Sequence, residues 1–193
     1  MKFTSDVDID FADRQKILER IKYIGAAIID PNRSLAHNTG IYATEIPVDP
    51  YTGHAAIDYK QAEQRGYIKL DFLNVGIYQQ VKSEAHLIEL MNQEPYWDQL
   101  YDPQFCEQLI HIGNHYDSLI QMPEAVNTIP RLAMFLAVIR PAKRHLIGST
   151  WSRVAQDVWI PPADGGYYFK KSHSISYAHL VVVHMNLISN AAS

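Results

Sequence analysis

SDVDIDFADR, residues 5–14, and GYIKLDFLNVG, residues 66–76, decide how this chain is read. In the first, Asp6, Asp8 and Asp10 alternate with Val7, Ile9 and Phe11. A period of two marks a strand with carboxylates on one face and apolar side chains on the other. Such a row of acids repels itself unless cations neutralise it. The second stretch offers a partner strand, residues 67–73, in which Asp71 stands among apolar neighbours. Lys69, two residues earlier, shares its face. A D-x-D strand beside a strand carrying a third Asp is how many phosphoryl-transfer enzymes hold two divalent metals. The same spacing also fits solvated acids on an exposed strand, with Lys69 as their salt-bridge partner.

Composition bounds the rest. A chain of 193 residues, 47% hydrophobic, can bury one sizeable core, divisible into two lobes. The single cysteine, Cys106, excludes an internal disulfide framework and points to a reducing cytoplasm. No apolar run reaches the length of a membrane span, and the N-terminus lacks a signal-peptide pattern. The net charge of −4 argues against an unassisted, high-affinity duplex-DNA binder. Its distribution is uneven. Residues 1–130 carry 10 Lys and Arg against 19 Asp and Glu, whereas residues 131–193 carry 7 against 2. An acidic metal-binding lobe followed by a basic phosphate-contacting lobe has this pattern, and so does an acidic surface with a basic tail.

Along the chain, Asp13 reads as the N-cap of a helix through Ile24, with Ile17, Leu18, Ile21 and Ile24 on one face. Residues 30–40 are polar and turn-rich, and a strand is expected from Gly40 to Ile46. Helices are expected over 77–90, 104–112, 131–139 and from Ser172 or Ser174 to about Ile188. His111 and His115 then stand four apart, a zinc-ligand spacing with no accompanying acid motif. The expected architecture is α/β: residues 1–76 form a small acidic α/β lobe and residues 77–193 a mainly helical lobe, together one compact unit.

Several segments, in order, resemble the C-family DNA polymerases, the bacterial DNA polymerase III alpha subunits. SDVDIDF resembles the PD-x-D-x-DF catalytic strand, and GYIKLDFLN the G-x-K-x-DFLG strand with the third catalytic Asp. HNTGIYAT at 37–44 is similar to the H-x-x-G-V segment, IRP at 139–141 to the RPG turn, and YYFKKSHSISYAHLV at 167–181 to the FNKSH helix. The resemblance implies a nucleotidyltransferase-like palm sheet followed by a helical fingers-like lobe. It implies Mg²⁺ or Mn²⁺ held by Asp8, Asp10 and Asp71 as catalytic and metal residues, with Lys69 beside the metal site or a substrate phosphate. It places Arg140, Lys171, Ser172 and His173 at the triphosphate of a nucleotide, where Arg and Lys offset phosphate charge.

The chain departs from the family in ways that matter. Only palm and fingers segments have counterparts, the interval from Asp10 to Asp71 is short, and Ser5, Asn74 and Lys170 replace the usual Pro, Gly and Asn. The expected function is a miniature polymerase-like protein that binds a nucleoside triphosphate or a nucleic-acid end and, if active, transfers nucleotidyl groups. The alternative is a non-catalytic relic that binds a replication protein or DNA, for instance one modulating a host replisome from a phage. No membrane partner is expected.

Overall fold

The computed structural model describes residues 7–31 and 33–191; Asp6, the first acid of the opening motif, lies outside them. The fold is mixed α/β and divides into two compact units, one ending at Val81 and the other beginning at Lys82.

The first unit contains β1 (Val7–Phe11), α1 (Arg14–Leu18), β2 (Ile24–Asp30), β3 (Arg33–Tyr42), α2 (Tyr59–Gln64) and β4 (Leu70–Asn74). The strands form a four-stranded sheet in the order β1-β4-β3-β2. β1 runs parallel to β4, while β4–β3 and β3–β2 are antiparallel. Ile9 lies opposite Phe72 in the register, and the rings of Phe11 and Phe72 pack with centroids 4.7 Å apart. Leu18, Ile41 and Phe72 bury together, with Ile9, Phe11, Ile17 and Leu70 against them. The apolar half of the VDIDF alternation therefore supplies core, and α1 covers it. At the far end of β4, the Asn74 side chain accepts a hydrogen bond from the Arg14 N–H at 3.0 Å, tying the start of α1 to the sheet.

Four sequence expectations differ in this unit: the strand expected from Gly40 to Ile46 ends at Tyr42, that expected over 67–73 begins at Leu70, and two larger differences follow. Asp13 does cap a helix, accepting from the Lys16 N–H at 3.3 Å, but the helix ends at Leu18 and Ile24 opens β2. Gly25 and the β-branched Ile24, Ile28 and Ile29 disfavour continuing a helix and suit a strand. Residues 33–40 are strand rather than loop. β3 meets β4 only at Gly40 and Ile41, so its outer half pairs with β2 alone and needs no apolar face.

The second unit is helical: α3 (Glu84–Asn92), α4 (Pro103–Gln108), α5 (Tyr116–Ile120), α6 (Ile129–Val138), α7 (Trp151–Asp157) and α8 (Lys171–Ala191), with 3₁₀ turns between some of them. α6 is nearly all apolar and buries Leu132, Phe135, Leu136 and Val138 against a core that includes Val181, Val182 and Met185 of α8. Thr128 caps α6 by accepting from the Arg131 N–H at 3.3 Å, and Ser83 caps α3 through the His86 N–H at 3.2 Å. Asn186, buried in α8, donates to the carbonyls of Leu90 and Gln93, each at 2.9 Å, and so satisfies the C-terminal end of α3. The helix expected over 77–90 is a 3₁₀ turn, Gly76–Gln80, followed by α3. That expected over 104–112 stops at Gln108, so His111 and His115 do not share a helical face. No helix among the described residues is long and apolar enough to cross a membrane.

Candidate functional site

Parallel pairing sets Asp8 of β1 directly opposite Asp71 of β4. Residues opposite one another in paired strands point to the same side, so Asp8, Asp10, Lys69 and Asp71 share the face away from the Phe11–Phe72 core. Asp8 and Asp10 are exposed, whereas Asp71 is only 7% exposed. Partial desolvation of Asp10 by its neighbours, and then the charge of Asp8, raise its carboxyl above its usual range. Asp10 in turn helps raise the Tyr78 phenol, which burial chiefly perturbs. This face carries the mutual repulsion that the alternating acids imply.

Asp71 is held from two sides. Its Oδ1 accepts from the Thr39 hydroxyl at 2.7 Å, and its Oδ2 is ion-paired with the Lys69 ammonium. A local irregularity in β3 makes this geometry. Between the pairs Gly25–Ile41 and Ala27–Ala36, five residue steps on β3 face two on β2. Within that bulge the His37 ring turns back, and its Nδ1 accepts from the Gly40 N–H at 2.9 Å and the Thr39 N–H at 3.3 Å. Bulges of this kind re-aim side chains, and here one delivers Thr39 to Asp71. A nitrogen accepting from amides carries no proton, so His37 is neutral with its proton on Nε2. Burial and the nearby Lys69 lower its pKa, with Asp71 opposing them. His37 Nδ1 lies 3.8 Å from Asp71 Oδ1, and its ring packs edge-on to Tyr59. Gly40 is required: a Cβ there would sit 2.7 Å from Lys69 Cδ and 3.0 Å from both Ala26 Cβ and His37 Nδ1.

Asp8, Asp10 and Asp71 offer the hard oxygen donors that magnesium favours and share one face of the sheet. Both oxygens of Asp71 already have partners, and among the described residues no three His, Cys, Asp or Glu side chains converge as a metal-holding group.

The basic candidates lie in the second unit. Arg140 precedes the 3₁₀ turn Pro141–Leu146, and its guanidinium carbon stacks 3.9 Å from the centre of the Phe169 ring. Its Nε and Nη2 are buried without a hydrogen-bond partner among the described residues. Burial lowers its pKa, which Tyr167 and Tyr177 partly offset. Lys171 and Ser172 are exposed at the start of α8, and His173 is half-buried beside them. Phe169, two residues before Lys171, links Arg140 to that run.

The sequence pointed to His111 only through its spacing from His115 and missed the setting the structure gives it. His111 adopts a left-handed backbone with φ 66°, packs at a tilt against Tyr177 with ring centroids 4.3 Å apart, and has a buried Nε2 without a partner among the described residues. Burial, then Arg140, push its pKa down to about 4. No local signal marks it, because the conformation comes from the chain reversal after α4. Thr39 was hidden for a related reason, since only the bulge brings it to Asp71. His184 accepts from the Ile110 N–H at 3.1 Å, a structural role. Cys106 is buried, with its thiol pushed up to about 11 by burial and then Glu107, which makes it a poor nucleophile at neutral pH.

No protein-family model, curated protein or solved structure matches this chain.

Proposed function

We propose that the acidic face of β1 and β4 is a divalent-metal site that engages a nucleoside triphosphate or a nucleic-acid end, in a miniature C-family polymerase-like protein of the cytoplasm. The register that sets Asp8 opposite Asp71, with Asp10 on the same face, carries this reading. Asp8, Asp10 and Asp71 would hold Mg²⁺ or Mn²⁺. When bound, the ion would stabilise charge on an attacking 3′-oxygen and a departing pyrophosphate. Thr39 fixes one carboxylate oxygen of Asp71, and Lys69 supplies positive charge on the face where a phosphate oxygen would lie. Within the second unit, Arg140, Lys171, Ser172 and His173 are proposed to bind phosphate.

The reaction class is nucleotidyl transfer: the 3′-oxygen bonds to the α-phosphorus as the bond to pyrophosphate breaks. Rate in such chemistry depends on holding the reactants in line. Because the interval from Asp10 to Asp71 is short and omits the segment the family carries between its catalytic acids, slow addition of single nucleotides is expected rather than processive synthesis. A primer-extension assay with Mn²⁺, run beside Asp8→Asn and Asp71→Asn, tests this. Slow extension lost in both variants supports it; extension unchanged by either variant removes these acids from the chemistry.

A second reading has its own observation. Both Asp71 oxygens are engaged by Thr39 and Lys69, as they would be in a non-catalytic relic that binds a replication protein or DNA and keeps Asp71 for stability. That reading predicts a large loss of stability in Asp71→Asn and no effect of metal on the wild-type chain.

A further inference from the structure

The last third of the chain carries an exposed aromatic side chain set on a basic base. Tyr167 is 64% exposed, and beneath it the ring of Phe169 lies at 6.0 Å in an edge contact. Phe169 is buried and in contact with the Arg140 guanidinium at 3.9 Å and the Tyr177 ring at 5.5 Å. The Tyr167 carbonyl accepts from the Ala142 N–H at 3.2 Å, which fixes this segment to the turn that carries the exposed Arg144. Lys170 and Lys171 follow directly and are exposed. A large ring left in water against an aromatic neighbour, with the exposed Arg144, Lys170 and Lys171 on the adjoining turn and helix start and Asp164 the one acid nearby in sequence, matches the physics of single-strand recognition. There, bases stack on aromatic faces and phosphates follow a basic track.

We propose that Tyr167 is a base-stacking platform for single-stranded nucleic acid, with Lys171 and Arg144 contacting its phosphates. The site uses residues of the second unit alone; through Lys171 it rests on the phosphate-binding reading proposed above, but not on the metal face. Duplex ends offer fewer free base faces and bind more weakly. Both DNA and RNA strands present the required faces, and the ring itself does not distinguish them.

Fluorescence anisotropy with labelled oligo-dT, oligo-rU and a blunt duplex, all in EDTA, tests the proposal independently of any metal. The single strands are expected to bind more tightly than the duplex. Tyr167→Ala should weaken that binding about tenfold, the scale of one lost base stack, while Tyr167→Phe keeps it. Lys171→Ala should flatten the log–log salt dependence by about 0.7, the contribution of one single-strand phosphate. Because Tyr167 is exposed, its variants should retain the wild-type circular dichroism spectrum. A preference for dT or rU would assign the strand type. Single strands that fail to bind, a duplex that binds equally well, or a Tyr167→Ala protein that binds like wild type would each overturn the proposal. Because every arm is run in EDTA, a failure of the metal face leaves these readings untouched, so failure of the metal reading and failure of the platform are read separately.

Discussion

Lowering the pH from 7 to 4 should destabilise the helical unit chiefly through His111, and Asn at that position should remove that share of the loss. Burial and Arg140 take the His111 imidazole from an ordinary 6.5 down to about 4. The unfolded chain therefore takes up a proton near pH 6.5 that the folded chain refuses until about pH 4. Stability from this group is complete above pH 6.5 and is lost as the pH falls through that window. The gap from 6.5 to about 4, at about 1.36 kcal/mol per pH unit, corresponds to about 3 kcal/mol at pH 4. His184 and His115, which burial also lowers, act in the same direction. Asn removes the titrating ring yet tolerates the left-handed backbone that position requires. All three tryptophans, Trp97, Trp151 and Trp159, lie in or against the core of this unit, so urea denaturation followed by tryptophan fluorescence reports on it. Wild type should lose about 3 kcal/mol more than His111→Asn between pH 7 and pH 4. Parallel pH curves for the two proteins would refute the reasoning.

Other substitutions test neighbouring parts of the account. Gly40→Ala should cost about 1–3 kcal/mol by circular dichroism melting, because its Cβ forces Lys69 and the His37 ring out of place; an unchanged midpoint would contradict the close approach. Asn186→Leu should cost about 1–3 kcal/mol, leaving the Leu90 and Gln93 carbonyls without their donor. Asp8→Asn should bring the Asp10 carboxyl down toward its ordinary range, read by NMR titration, since Asp8 contributes to its upward shift. No change there would show that the two acids do not sense one another.

Legibility from sequence followed burial. VDIDF and LDFLN were readable as strands because one face of each packs on Phe72 and Leu18 and the period of two survives. The outer part of β3 was not, because it lies beyond β4 and its residues need not alternate. Ile17, Leu18, Ile21 and Ile24 have helical spacing, yet only the first two lie in α1. Periodicity alone cannot separate a short helix followed by a strand from one long helix when apolar residues fall at both ends. At the acidic face, Asp8, Asp10, Asp71 and Lys69 could be named from the alternation. Thr39 and His37 could not be connected to Asp71, since a bulge erases the register that sequence reasoning assumes.

The central claim is that Asp8, Asp10 and Asp71 hold a divalent ion, and titrating the protein with Mn²⁺ while following the free ion's electron paramagnetic resonance signal tests it most directly. The account predicts that wild-type protein depletes free Mn²⁺ saturably and that Asp8→Asn and Asp71→Asn each abolish the depletion. A wild-type chain that leaves the free signal undiminished, or depletion that survives both substitutions, would contradict it.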